Sequence, residues 1–264
     1  MDKWTRKESY SFDDLVKIVR MLRAPDGCPW DRVQTHRSIR NNFIEETYEA
    51  VEAIDTGDAS LLKEELGDVL LQVALHAEME EEQGVFSMED VLTGICEKLI
   101  YRHPHIFGSV KADDVDTVLD NWDALKKKEK GQRTAADNLQ AVAKSLPAAM
   151  RAEKVQSRAR KAGFGFEDLD SCKEDLQSEI CELDAALSSG NKQEIFHEAG
   201  DVLFSAVNLS RMAGVPSEEA LSAAADRFIQ RVALVERYAG EEGKTFSELS
   251  AEEADRLWKR AKKQ

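Results

Sequence analysis

Four acidic residues placed symmetrically about a glycine are the feature that most constrains how this chain folds. Glu46 and Glu49 precede Gly57, and Glu65 and Asp68 follow it at mirrored distances. Residues three apart lie on one side of a helix, and a glycine between two helical stretches is typical of a helix end. An antiparallel helical hairpin bent at this glycine would bring all four carboxylates level, roughly 12 Å from the bend.

Such a cluster predicts a metal site. Four carboxylates so close together would repel one another and raise one another's pKa values unless a cation compensates them. Oxygen-only ligands are what a hard divalent ion such as Mg²⁺ or Mn²⁺ prefers. For one isolated pair of acids three residues apart, a solvated helix face is the commoner explanation. The metal interpretation therefore depends on a second observation.

That observation is a repeat of the whole arrangement 133 residues further along the chain. The four acids recur about Gly190, and Glu-Leu-Gly-Asp-Val-Leu-Leu from residue 65 matches Glu-Ala-Gly-Asp-Val-Leu-Phe from residue 198. An internal duplication that keeps the carboxylates favours a metal site in each copy. The predicted metal ligands are Glu46, Glu49, Glu65, Asp68, Glu179, Glu182, Glu198 and Asp201.

Basic and aromatic residues recur in the two copies as well. Pairs of basic residues four apart share one helix face and could hold phosphate oxygens, and a tryptophan could stack on a base. Basic residues late in a helix also complement its dipole, and a tryptophan is usually part of the core. Because these residues recur in both copies, nucleotide binding and a purely structural role are equally good explanations for them. The candidates are Lys98, Arg102, Trp122 and Lys126 in the first copy and Arg227, Arg231, Trp258 and Lys262 in the second.

Charge and cysteine usage narrow the class of protein. A net charge of −15 argues against a nucleic-acid polymer or an anionic membrane as the main partner. The four cysteines form neither a C-x-x-C pair nor a zinc spacing, which is typical of reduced cysteines in the cytoplasm. No apolar run approaches the roughly 18 residues of a membrane span, and the first ten residues lack a signal-peptide core. We therefore expect a cytoplasmic protein without a membrane partner.

Helix start and stop signals predict an all-α chain of two domains, 1–130 and 131–264, each a carboxylate-bearing hairpin with flanking helices. No stretch combines alternation with β-branched residues, so strands are expected to be absent. A basic run at 126–133 marks the domain boundary. The expected helical segments are 11–22, from 35–38 to 55, 58–83, 87–103, 114–128, 138–161, the second hairpin at 169–212, and a helix from 217.

Three segments resemble the MazG family of bacterial nucleoside triphosphate pyrophosphohydrolases. They are Cys28-Pro-Trp-Asp31, Glu45-Glu46-Thr-Tyr-Glu49 with Glu65-Leu-Gly-Asp68, and Arg102-His-Pro-His-Ile-Phe107. The resemblance covers essentially the whole chain. It implies two tandem MazG-like helical domains that form four-helix bundles on dimerisation, and Mg²⁺, with Mn²⁺ as a possible substitute. It also implies hydrolysis of nucleoside triphosphates to nucleoside monophosphate and pyrophosphate, with broad base specificity and a housekeeping role in the nucleotide pool.

The resemblance also implies roles for particular residues. It places catalysis on Glu45, Glu46, Glu49, Glu179 and Glu182. Arg227, Arg231, Trp258 and Lys262 match nucleotide-contacting positions of the family's second domain, whereas their first-copy counterparts follow from the internal repeat alone. One departure is Ser178, which stands where the first copy has Glu45, so the second copy lacks a leading glutamate to orient water or a second metal. In the family, one half can be weak or silent.

Three alternatives remain at this stage. A non-enzymatic helical module would use the carboxylates only for a structural ion. A di-iron carboxylate bundle needs two Glu-x-x-His motifs, and the chain has one, from Glu194 to His197. The two hairpins could also pack on each other within one chain instead of dimerising. The five histidines are scattered along the sequence, and His103 and His105 are expected to finish a helix rather than bind metal.

Overall fold

The computed structural model describes residues 4–109 and 134–263, together with Asp114 and Val118. Within these residues there are twelve α-helices and no strand, which confirms the all-α prediction. The chain divides into two compact units, Met1–Lys126 and Lys127–Gln264. The boundary predicted at residue 130 and most of the helix predicted at 114–128 lie outside the described residues. No helix in the described parts is both long and apolar enough to cross a membrane.

The first unit is built on a hairpin of two long helices. Gly57 ends the first of them in the left-handed conformation, with φ of 69°, and the Asp58 carboxylate caps the next by accepting from the amides of Ser60 and Leu61. The bend therefore lies where the symmetry of the acids predicts it. The helices of this unit are α1 (Phe12–Arg23), α2 (Pro29–Arg32), α3 (Arg40–Thr56), α4 (Ala59–Glu81), α5 (Met88–Arg102) and α6 (Pro104–Phe107).

Capping boxes begin two of these helices. Ser11 and Ser87 each accept from the backbone of an aspartate three residues later, and that aspartate bonds back to the serine amide. α1 packs on α4, and their core also includes Ile39 and Met88. α3 begins at Arg40, later than predicted, because the residues from 35 to 38 form a hydrogen-bonded turn of their own.

The second unit repeats the hairpin. Gly190, with φ of 70°, ends one helix, and the Asn191 side chain caps the next. The segment predicted as one helical connection from 138 to 161 is two helices, because the first ends at Gln140 and the second begins only after Pro147, its N-cap residue. The helices are α7 (Ala135–Gln140), α8 (Ala148–Lys161), α9 (Leu169–Ser189), α10 (Lys192–Met212), α11 (Ser217–Glu241) and α12 (Ala251–Ala261), with a 3₁₀ turn at Phe246–Glu248.

Both hairpins leave large apolar side chains exposed. Isolated apolar residues are normal on a surface, but several on neighbouring turns of one helix pair mark an interaction surface. On the first hairpin they are Ile44, Tyr48, Val51, Ile54, Leu66 and Leu70, and on the second Ile180, Leu187, Phe196, Leu203 and Phe204.

Candidate functional site

The first hairpin brings three of the predicted ligands together. Glu46 and Glu49 on α3 and Glu65 on α4 each place a carboxylate oxygen within 4.8 Å of the others. Asp68 is not a member of this group, although its negative charge raises the pKa of both Glu46 and Glu65. Ligand oxygens about 2.1 Å from Mg²⁺ lie at most about 4.2 Å apart, so small side-chain rotations would close the group on an ion. Asp68 stays a predicted ligand.

The environment of this cluster disfavours the ionised form of its members. Burial raises the pKa of Glu46, and the charges of Asp68 and Glu49 raise it further. Glu65 is only 8% exposed, and burial followed by the charge of Glu49 raises its pKa. Oxygen donors held in mutual repulsion, one of them buried, fit a hard divalent cation, which would relieve that repulsion.

The second hairpin forms a matching cluster. Glu179, Glu182 and Glu198 place carboxylate oxygens within 4.8 Å of one another, and exposed Asp201 again lies outside the group. Burial raises the pKa of Glu179, and the neighbouring carboxylates raise it further, Glu182 most of all. The copies differ at the leading position. Ser178 donates from Oγ to Oε1 of Glu182 at 3.3 Å, whereas Glu45 is an exposed carboxylate.

We expect Glu65→Gln to stabilise the metal-free protein at neutral pH. A carboxyl whose folded pKa lies above its unfolded value makes the folded state bind more protons, so its contribution to stability falls as pH rises above about 4.3. The ion-paired Asp14 and Glu253, with pKa values of about 2, give their full stabilisation once the unfolded carboxyls are ionised, so above about pH 6 they no longer oppose the trend. With EDTA at pH 7, thermal unfolding of Glu65→Gln should therefore have a midpoint a few °C above that of the parent.

The matched control is Glu52→Gln, which removes an exposed glutamate from the same hairpin. In EDTA this control should have the same unfolding midpoint as the parent. Mg²⁺ should raise the midpoints of the parent and of Glu52→Gln, and should raise that of Glu65→Gln much less. A lower midpoint for Glu65→Gln in EDTA would show that this carboxylate is not repelled in the metal-free state.

In the second unit, the predicted nucleotide contact Trp258 lines an aromatic cavity. A cavity of about 300 Å³ is lined by Trp258 and Phe228, whose ring centroids are 5.3 Å apart, with Val232, Val235, Phe246, Ala254 and Asp255. Lys262 Nζ lies 5.7 Å from the Trp258 ring centroid. The sequence interpretation missed Phe228, which directly follows the predicted contact Arg227 and could have been found from that position.

The two predicted arginines of this unit differ from their basic neighbours. Within the part of the chain that the structure describes, Arg227 and Arg231 pair with no carboxylate. Arg237, Arg256 and Arg260, by contrast, lie within 4.0 Å of Glu241 or Glu242. Arg227 is exposed and Arg231 half-buried. These two side chains are therefore available to bind an anion.

The first-unit counterparts are placed less uniformly. Lys98 is exposed on α5, whereas Arg102 is buried at its end. Trp122 and Lys126 lie outside the described residues. His103 is the C-cap residue of α5, and its Nδ1 lies 2.7 Å from the Leu99 carbonyl oxygen, as expected for a residue that finishes a helix.

Two histidines that are distant in sequence are neighbours in the structure. The Nδ1 atoms of His36 and His76 are 2.7 Å apart, with nearly parallel rings, and His36 Nε2 lies 2.7 Å from Glu80 Oε1. The 40 residues that separate them carry no local signal for this pairing, since it results from the loop before α3 folding onto α4.

Comparison with known proteins gives a consistent family. A profile of the MazG nucleotide pyrophosphohydrolase domain matches residues 34–107. A Thermotoga maritima nucleoside triphosphate pyrophosphohydrolase/pyrophosphatase MazG is 40% identical over 251 residues, 95% of this chain and 95% of that protein. An Escherichia coli K12 nucleoside triphosphate pyrophosphohydrolase is 36% identical over 96% of this chain and 97% of its own length. The uncharacterized protein YabN of Bacillus subtilis is 43% identical over 96% of this chain, which spans 52% of that protein.

Proposed function

The chain belongs to the MazG family, and we infer from this that it hydrolyses nucleoside triphosphates to nucleoside monophosphate and pyrophosphate. Relatives named for this activity align with nearly the whole chain, both hairpins included. The observation that carries the inference to particular residues is the carboxylate group in each hairpin, in which three glutamates place oxygens within 4.8 Å of one another. A triphosphate carries about four negative charges, so a site that acts on it needs metal and basic residues together.

We propose Mg²⁺ as the cofactor, with Mn²⁺ as a substitute. Glu46, Glu49 and Glu65, with Asp68, would hold it in the first unit. Their counterparts in the second unit are Glu179, Glu182, Glu198 and Asp201. When bound, such an ion polarises phosphate oxygens and lowers the pKa of a coordinated water.

The remaining work falls to the chain's own residues. A carboxylate at the edge of the cluster accepts a proton from the attacking water, and in the first copy exposed Glu45 is suited to this. In the second copy that position is Ser178, which instead orients Glu182 by donating to it. Arginine and lysine side chains neutralise the charge that develops on departing pyrophosphate.

We propose that the second unit grips the nucleotide with the predicted contacts around its cavity. Arg227 and Arg231 would bind phosphate oxygens, and Trp258 would stack on the base with Lys262 beside it. The cavity is lined by apolar and aromatic side chains apart from Asp255. Stacking tolerates every base, since each has a π-face, so this unit is expected to have broad base specificity.

The activity is tested by identifying the phosphate product. Purified protein with Mg²⁺ should release pyrophosphate, and no orthophosphate, from a panel of nucleoside triphosphates, and EDTA should abolish turnover until excess Mg²⁺ or Mn²⁺ is restored. Release of single orthophosphate would place the chain among ordinary nucleoside triphosphatases. Metal binding without any turnover would favour the non-enzymatic module, and iron in the purified protein would favour the di-iron alternative.

We propose that the chain forms a homodimer through its hairpins. The exposed apolar side chains of each hairpin need a partner, and pairing two hairpins yields a four-helix bundle that buries them. Light scattering at micromolar concentration should give twice the 29.6 kDa mass of one chain. Ile54→Glu, which places a charge on the exposed apolar face of the first hairpin, should lower the mass toward one chain. A parent mass equal to one chain would favour pairing of the two hairpins within the chain.

A further inference from the structure

Gln72 lies one helical turn beyond the first carboxylate cluster, and its side chain is buried. Only 6% of Gln72 is exposed, and its Oε1 accepts no hydrogen bond from any residue that the structure describes. It follows Asp68 by four residues on α4, so both side chains lie on the same face of that helix. A buried polar atom without a partner is unfavourable unless a ligand or water satisfies it.

In the second copy, the side chain at the position equivalent to Gln72 does have a hydrogen-bond partner. Ser205, the counterpart of Gln72, donates from Oγ to the Asp175 carboxylate across the second hairpin. The counterpart of Asp175 is Asn42, which the 133-residue repeat places level with Gln72 on the other helix of the first hairpin. Gln72 Oε1 nevertheless accepts nothing from Asn42. Among the described residues, the side chain at this position is therefore hydrogen-bonded in the second unit, whereas its oxygen has no partner in the first.

One more turn along α4 is His76. Its Nδ1 lies 2.7 Å from His36 Nδ1, and His36 Nε2 lies 2.7 Å from Glu80 Oε1, so among the described residues Nε2 is the ring nitrogen of His76 that remains for a ligand. Burial, with a smaller effect from His36, lowers the pKa of His76 and keeps its ring neutral near pH 7. The Phe43 ring lies 5.5 Å from the His76 ring, one turn before Glu46 on α3. Polar and aromatic groups thus extend the carboxylate cluster in one direction.

The spacing along α4 matches the length of a nucleotide. At about 1.5 Å per residue, Gln72 lies about 6 Å and His76 about 12 Å beyond Asp68. When the phosphates of a nucleotide bind at the carboxylate cluster, its sugar and base extend over a similar distance. An amide and an imidazole at that distance are groups that can hydrogen-bond the edge of a base.

We propose that Gln72 and His76 form a base-reading subsite in the first unit, hydrogen-bonding the edge of the nucleobase of a bound nucleoside triphosphate. This rests on the proposed function, since the phosphates must first bind the metal at the carboxylate cluster. The second-unit counterparts are Ser205, already bonded to Asp175, and Leu209, which cannot donate or accept. The first unit therefore discriminates between bases, and the second tolerates them.

The test is equilibrium binding to the full chain with its second cluster disabled by Glu182→Gln and Glu198→Gln. The ligands are uncleavable α,β-methylene analogues of ATP, GTP, CTP and UTP with Mg²⁺, and inorganic tripolyphosphate as a probe without a base. The dissociation constants of the four analogues should differ by about tenfold or more between the best and worst base, because unpaired buried polar groups reject the wrong partner. Gln72→Leu should shrink that range to about twofold and leave tripolyphosphate binding unchanged.

Controls separate this subsite from folding and from the metal site. Circular dichroism verifies that each variant is helical, and Gln72→Glu, which keeps the side-chain size, should change which base binds best. Ser205→Ala, the matched change in the second unit, should leave the range intact. Equal dissociation constants for the four analogues, or a range that survives both Gln72 variants, would overturn the proposal. If tripolyphosphate itself fails to bind with Mg²⁺, the first unit has no metal–phosphate site, and the proposed function there fails with the subsite.

Discussion

Glu182→Gln is expected to lower kcat/KM for pyrophosphate release by on the order of a hundredfold, because it removes a charged ligand from the second cluster. Glu49→Gln makes the same change in the first cluster and should leave activity within about twofold. The difference arises because the second unit has, besides its carboxylates, the Trp258 cavity and two arginines, Arg227 and Arg231, that pair with no carboxylate among the described residues. In the first unit the corresponding arginine is buried.

The pair of variants is its own control, since both keep side-chain size and both should retain the helical content of the parent. Equal contributions from the two units would leave each variant with about half the parent activity. Full activity in Glu182→Gln together with an inactive Glu49→Gln would reverse the assignment. In that case the leading Glu45 would matter more than the grip on the nucleotide.

Arg231→Ala is expected to raise KM by roughly 10- to 100-fold with a smaller change in kcat. A hydrogen bond from a charged donor to phosphate contributes about 1.5–3 kcal/mol, and a contact made in both ground and transition states acts mainly on KM. Steady-state pyrophosphate release over a range of nucleotide concentrations separates the two constants.

Arg237→Ala is the matched control, because Arg237 lies on the same helix and already has Glu241 within 3.9 Å. It removes the same charge from the protein, so a general loss of positive potential would affect both variants alike. KM should stay within about twofold of the parent for Arg237→Ala. Equal effects of the two substitutions would argue against a direct contact between Arg231 and phosphate.

The hairpins could be predicted from the sequence because their signals are local and mutually consistent. Gly57 and Gly190 adopt the left-handed conformation that ends a helix, and Asp58 and Asn191 begin the next. Helical geometry then determines which acids come level, and three of the four in each copy do meet. Because the pattern occurs twice, it supports a metal site more strongly than a single acidic cluster would.

Features that depend on non-local packing were not predictable in the same way. The pairing of His36 with His76 depends on how the loop before α3 folds onto α4, and hydrophobic periodicity carries no information about it. The late start of α3 follows from side-chain hydrogen bonds between Thr35 and Ser38, which compete with the first helical turn. The lack of a hydrogen-bond partner for the Gln72 amide oxygen among the described residues becomes informative only by comparison with Ser205, which donates to Asp175.

The tight bend at Gly57 makes chain length part of the site. A left-handed glycine and one capping residue are all that join the two long helices. One inserted residue in either helix between the bend and the cluster would rotate the more distant carboxylates by about 100° and move them about 1.5 Å along the axis. Variation in length should therefore be confined to the ends of the hairpin away from the bend, while substitutions that keep the count are absorbed. The constraint on the segment between the two pairs of acids is therefore its number of residues and not the identity of any one side chain.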